Sequence, residues 1–183
     1  RLEFLFDMVK INILFDFKKG PYGGGNQFLK ALKKQLIKLD VYSKNPKDAD
    51  CIILNSHHNY YRLLRKKLAY KNKIVIHRVD GPLSLIRGSQ FNKDKLIYNL
   101  NSFIADGTVF QSKWSRSRNY QLGMEKNVFE TIIVNAPDSS IFFPSKKKKS
   151  HLEENRKCRL IAVSWSDNIN KGFDLYKFLD ENL

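Results

Sequence analysis

Residues 9–39 read VKINILFDFKKGPYGGGNQFLKALKKQLIKL and hold a strand, a glycine-rich turn and a helix in one run. Val9 to Phe15 is rich in β-branched and aromatic residues, which suits a strand. From Gln27 to Leu39 the apolar period changes to that of a helix. Phe28, Leu29, Leu32, Leu36 and Leu39 share one face, and lysines fill the other. Between them lies Gly20-Pro21-Tyr22-Gly23-Gly24-Gly25-Asn26, a break that neither element tolerates in its interior.

The same alternation continues along the chain. Cys51 to Leu54, Lys73 to His77, Asp106 to Phe110 and Thr131 to Val134 read as strands. Tyr60 to Tyr70, Ser89 to Phe103 and Ser112 to Gln121 read as helices, the last ended by Gly123. Strands separated by helices pair in parallel through right-handed crossovers. Their near-continuous apolar character implies a sheet covered on both faces. Residues 8–144 are therefore expected to form a doubly wound parallel α/β sheet of Rossmann-like type. Residues 145–157 are polar, carry the run Lys146 to Lys149 and read as a basic linker. Arg159 to Ser164 and Gly172 to Leu183 then read as a strand and a helix. Two elements cannot bury a core alone, so 158–183 is expected to be the truncated start of a second domain. Met8 leads straight into the first strand, so 1–7 reads as a leader, an expression remnant or upstream readthrough.

The chain has 183 residues, of which 42% are hydrophobic and 13% aromatic, a globular composition that argues against wholesale disorder. No apolar run approaches the roughly 20 residues of a membrane span. Cys51 and Cys158 form neither a CxxC pair nor a disulfide framework, which suits a reducing, cytoplasmic setting. Lys and Arg number 33 against 18 Asp and Glu, a formal charge of +15. The segment from His58 to Ile76 carries Arg62, Arg65, Lys66, Lys67, Lys71 and Lys73 and no acid, and Lys30, Lys33, Lys34 and Lys38 form a second group. Such a field attracts phosphates, anionic lipid or nucleic acid, or is simply a solvated basic surface.

Ligands of an open parallel sheet bind beyond the carboxyl ends of its strands. Four segments fall there. The turn around Gly23, Gly24, Gly25 and Asn26 lets backbone approach a ligand, and the helix behind offers unpaired N–H groups to a phosphate. It matches neither the P-loop nor the GxGxxG fingerprint, and it reads equally as a tight turn. His77, followed by Arg78, Asp80 and Gly81-Pro82, places an imidazole at a strand end, as a proton acceptor or a structural residue. His57 and His58 lack further ligands at helical spacing, so no metal is expected. Asn135-Ala136-Pro137-Asp138 follows the last strand of the first domain and also suits a plain turn. Lys171-Gly172 opens the final helix, where a lysine opposes the helix dipole unless an anion binds. No GxSxG nucleophile motif occurs.

In this order the segments resemble the N-terminal domain and domain junction of a GT-B glycosyltransferase of the family 4-like group. The likeness runs from Met8 to Leu183. It rests on the Gly23–Gly25 loop, His77, an "AD.vi..S.w" segment at Ala105, Asp106, Ser112 and Trp114, a junction variant from Ile133 to Pro144, and the Lys171-Gly172 pair. The resemblance implies a retaining, metal-independent transfer of sugar from a UDP- or GDP-linked donor to a glycan, lipid or protein acceptor, with no further cofactor. It places Gly23, Gly24, Gly25, Asn26, Lys171 and Gly172 at the donor diphosphate and His77 at the transferred sugar. Arg78, Asp80, Asn135 and Asp138 fall on the acceptor side or the hinge. Backbone N–H groups and a lysine aimed at the departing phosphate would stabilise its growing charge. Trp165 stands where the family usually carries an arginine, and Asn135-Ala136-Pro137-Asp138 replaces its Asn-Gly-Val-Asp. The carboxylate region that holds the donor in that family falls beyond Leu183, so the chain alone is expected to be inactive. The basic clusters imply loose contact with an anionic membrane. The competing readings are a non-catalytic basic module on nucleic acid or an anionic surface, a different α/β nucleotide enzyme, or a GT-B epimerase. The first lacks an RNP-like, helix-turn-helix or zinc-finger pattern, so no specific nucleic-acid partner is expected.

Overall fold

A computed structural model describes residues 9–20, 22–65, 72–136 and 171–182, with positions 143 and 161. The chain divides into two units, Arg1–Asn135 and Ala136–Leu183. The basic linker, the strand expected over 159–164 apart from Ile161, Trp165, Cys158, Asp138, Lys66, Lys67 and Lys71 lie outside the described residues.

The first unit is a five-stranded parallel sheet: β1 (Ile11–Leu14), β2 (Cys51–Asn55), β3 (Ile74–Val79), β4 (Gly107–Phe110) and β5 (Glu130–Ile132), adjacent in that order. Helices α1 (Gly24–Lys38), α2 (Tyr60–Arg65), α3 (Leu83–Arg87), α4 (Phe91–Ile104) and α5 (Lys113–Gln121) join them, with a 3-10 turn at Pro46–Asp48. Alternation of side chains along each strand sets two faces. Ile13 and Ile53 lie on the face packed by Leu29 and Leu36 of α1. Leu14, Ile52, Leu54 and Val75 lie on the other, against Leu63 of α2. Val79 and Phe110 continue that second face, packed by Ile97 of α4 and Tyr120 of α5.

One strand-like segment was not foreseen, and it explains the two faces. Tyr42 bridges Ile11 in parallel on the free edge of β1. The Ile11 N–H donates to Val41 O at 2.7 Å, and the Ser43 N–H to Ile11 O at 2.9 Å. The chain leaves β1 through α1 toward this outer edge, then returns past β1 to begin β2 on its other side. From β2 to β5 it steps steadily away. Right-handed crossovers put helices on opposite faces when the direction of travel reverses, as observed. The sheet is doubly wound, and its switch point lies at the carboxyl end of β1.

Two features differ from expectation. The first helix starts at Gly24 rather than Gln27, so two of the three consecutive glycines occupy its first turn. Gly23 is the N-cap residue at φ +44, a backbone region that disfavours a side chain. The helix expected over 89–103 is present as α4, and before it stands a short helix that was not foreseen, α3, ended by Gly88 at φ +67. The buried Asp94 carboxylate of α4 accepts from the N–H groups of Leu83 (2.7 Å) and Ser84 (2.9 Å) and so holds the start of α3. In the second unit, the expected final helix is present as α6 (Phe173–Asn182), with Gly172 at φ +74 before it. Among the described residues no helix is long and apolar enough to cross a membrane.

Candidate functional site

The carboxyl ends of β2 to β5 meet at one side chain, Arg78. Its guanidinium is 4% exposed and projects onto the α1 face of the sheet. Nη1 donates to Asn55 Oδ1 at 2.8 Å and to Asp80 Oδ1 at 2.5 Å. Nη2 donates to Gln111 Oε1 at 3.2 Å and to Asn135 Oδ1 at 3.1 Å. Gln111 Oε1 also accepts from Asn135 Nδ2 at 2.9 Å. The planar cation lies 4.4 Å from the centre of the Phe28 ring of α1. A buried charge persists when paired and hydrogen-bonded, and Arg78 has an ion pair with Asp80 and four hydrogen bonds from its two terminal nitrogens. It ties the ends of four strands and one helix together. Three residues singled out from the sequence, Arg78, Asp80 and Asn135, are thus brought together. Asn55 and Gln111 were missed. The available signal was a polar residue closing an otherwise apolar strand.

Above this hub stands the start of α1. Gly23 offers no side-chain cap, and the first turn carries no acidic residue. A methyl group added at Gly24 would meet nothing within 4 Å, whereas one at Gly25 would lie 3.9 Å from Asn55 Nδ2. The helix N-terminus therefore faces open space at Gly24 and abuts the hub at Gly25. Such an end carries partial positive charge and unpaired N–H groups. Asn26 does not face this space with a free amide. Its Oδ1 accepts from the Lys18 N–H at 3.0 Å and its Nδ2 donates to Lys18 O at 3.2 Å. Gln27 Nε2 adds a bond to Gly20 O at 2.9 Å. Both side chains brace the loop that delivers the glycines.

His77 does not reach the site. Its strand neighbour Arg78 points to one face of the sheet, so His77 points to the other, where α4 covers it completely at 0% exposure. Nε2 bonds Ser56 O at 2.9 Å. A carbonyl only accepts, so Nε2 carries the proton and Nδ1 accepts from Asn101 Nδ2 at 3.2 Å. Asn101 in turn donates to Thr108 Oγ1 at 2.7 Å. Burial pulls the imidazole down to about 4, opposed by the Ser56 bond. The expectation that His77 touches a transferred group is corrected: it is a neutral interior strut.

The accessible imidazoles at this end of the sheet are His57 and His58, just after β2. They stack at 4.6 Å between centres, with Phe15 edge-on to His58 at 5.4 Å. Burial lowers both pKa values. The positive charge of Lys93 and Arg87 adds to this at each, the His58 charge adds at His57, and Asp80 opposes it. Among the described residues no group of three His, Cys, Asp or Glu side chains is placed to hold a metal. Cys51 is half-buried, and burial pushes its thiol up to about 11, so it stays protonated.

The "AD.vi..S.w" residues are structural in this unit. Asp106 Oδ2 accepts from the Val75 N–H at 2.8 Å, and the Asp106 N–H donates to Val75 O at 2.9 Å. Ser112 caps α5 by accepting from the Ser115 N–H at 3.0 Å. Trp114 lies over Gly81, where an added Cβ would come within 2.4 Å of its ring. Lys171 and Gly172 belong to the second unit, and Lys171 is exposed.

No protein-family model matches this chain, and no curated protein matches it. Among solved structures it is similar to Anabaena Alr3699/HepE crystallised with UDP-glucose, at 15% identity and a TM-score of 0.52. It is similar at 14% identity and a TM-score of 0.52 to the same protein crystallised with UDP and glucose. Each match covers 75% of this chain and 47% of the other, so the chain spans about half the length of its structural neighbours. At this identity the likeness establishes the α/β Rossmann-like fold.

Proposed function

We propose that this chain belongs to a glycosyltransferase of GT-B type that uses a nucleotide-sugar donor, and that its first unit is the acceptor-side domain. The carrying observation is the glycine-capped start of α1, open at Gly24, standing at the switch point of a doubly wound sheet. The UDP-glucose held by the structural neighbour supports a uridine-linked donor. In this reading the N–H groups of Gly24 and Gly25 approach the donor diphosphate. They stabilise charge that grows as the glycosyl–phosphate bond breaks, without reorganising at the moment of reaction. Asn26 and Arg78 act as positioning residues, one holding the glycine loop and the other the strand ends beneath it. The imidazole available to the transferred sugar is His57 or His58 rather than His77. The reaction is retaining and needs no metal.

The test uses the full reading frame that contains this chain. UDP-glucose and UDP are titrated calorimetrically onto the wild-type protein and onto Gly24→Asp. A carboxylate at the first turn repels the diphosphate, so binding is expected to weaken at least about tenfold. Equal affinity in both proteins, or no saturable binding of either nucleotide, removes the reading.

A further inference from the structure

Beside the switch point the sheet has an uncovered trough. Travel outward from β1 uses α1 on one face, and the return to β2 uses only the Pro46–Asp48 turn. Around the free edge and carboxyl end of β1, between Lys33 of α1, that turn and α2, lies a cavity of about 640 Å³. Asn12 lines it, from a strand position that pattern alone would make apolar. The side chain is 3% exposed. Its Nδ2 donates to Ser43 O at 2.9 Å and to Lys44 O at 3.4 Å, which fixes the amide orientation. Its Oδ1 is buried and finds no donor among the described residues. A buried acceptor left unpaired is unfavourable and calls for a partner from outside.

The rest of the wall is basic and aromatic. Lys33, Lys44 and Arg62 line the cavity, and no acidic residue does. Lys33 is held 4.7 Å over the Phe17 ring and 5.0 Å over the Tyr42 ring. Arg62 is partly neutralised by Asp16 at 3.1 Å, which leaves Lys33 and Lys44 as the net positive charge. Tyr42 and Tyr61 present flat faces with a polar tip. A ligand that satisfies all three features donates a hydroxyl to Asn12, carries negative charge for the lysines and offers apolar ring faces to the tyrosines.

We infer that this cavity binds an anionic saccharide, a sugar bearing a carboxylate or a phosphate. The choice of a saccharide over a nucleotide rests on the proposed glycosyltransferase reading, where it becomes the acceptor. The requirement for a hydroxylated anion rests on the cavity alone.

The test follows backbone amide shifts of the isotope-labelled 183-residue chain by NMR, with no donor present. The probes are trigalacturonate, glucose 6-phosphate, maltotriose, inorganic phosphate and UDP. Trigalacturonate or glucose 6-phosphate is expected to shift the amides of Asn12, Lys44 and Tyr61 saturably, and the tighter of the two identifies carboxylate or phosphate as the charge. Maltotriose and inorganic phosphate are expected to bind at least about tenfold more weakly, the loss of one charge-assisted contact. Lys44→Gln weakens the anionic sugar about tenfold, Tyr61→Ala weakens it too, and the exposed Lys95→Gln leaves it unchanged. The inference is overturned if neither anionic sugar shifts these amides, if maltotriose or phosphate alone binds as tightly, or if UDP takes the same amides more tightly. Failure of the full-length protein to bind UDP-glucose would leave this outcome untouched, so the two readings fail separately.

Discussion

Acidification should unfold the first unit through His77, and the size of the effect follows from the geometry. The imidazole is fully buried with both nitrogens engaged, and its pKa falls from 6.5 to about 4. Above pH 6.5 it is neutral in both folded and unfolded chains, and the interior bonds are retained without a proton penalty. Between 6.5 and 4 the unfolded chain binds a proton that the folded one refuses, so stability falls with falling pH. At about 1.4 kcal/mol per unit, the full loss across that window is on the order of 3 kcal/mol. His57 and His58 are also lowered and add loss of the same sign, so the His77 share needs a subtraction. Urea unfolding of wild type and His77→Gln, at pH 7 and pH 4.5, supplies it. The variant should lose about 2 kcal/mol less than wild type over that interval. NMR titration of the wild-type imidazole protons gives a second measure that does not depend on the variant folding. Parallel stability profiles, or a His77 pKa at or above 6.5, would refute the assignment of a neutral strut.

Three further outcomes follow from named contacts. Arg78→Met strands the Asp80 carboxylate and the amide oxygens of Asn55 and Asn135, while Gln111 Oε1 keeps the Asn135 amide, and urea unfolding should show a loss of about 3 kcal/mol, with less than 1 kcal/mol speaking against the hub. Gly81→Ala forces the Trp114 ring aside, so tryptophan emission should shift and stability fall by about 1–2 kcal/mol; the half-exposed ring can yield, which keeps the cost at the low end. Asp94→Asn keeps one acceptor for two backbone donors and should cost about 1–3 kcal/mol, with faster hydrogen exchange at Leu83 and Ser84.

Much of the fold was legible because it depends on local periods. The apolar runs at Ile11–Leu14, Cys51–Leu54 and Ile74–Ile76 and the helical spacing of Leu29, Leu32 and Leu36 each show their element within a few residues. The parallel α/β class follows from their alternation. Segment 41–43 was not legible, since three residues show no period and their strand character comes only from the edge of β1. The switch point was therefore hidden, although the Gly23–Asn26 turn beside it could be picked out by composition.

Adjacent residues in a strand part to opposite faces, and this separates what the chain order says from what the site contains. His77 and Arg78 look equivalent in the sequence, at one strand end with one turn after them. Packing of α4 on one face makes His77 an interior acceptor, and the start of α1 on the other makes Arg78 the junction of four strands. By itself the sequence determined which segments are strands and helices and which loops follow strand ends, because those are properties of neighbours along the chain. Only the tertiary structure decided which polar side chains meet, which are sealed from water and where an acceptor such as Asn12 Oδ1 is left waiting. Those depend on burial between elements far apart in sequence.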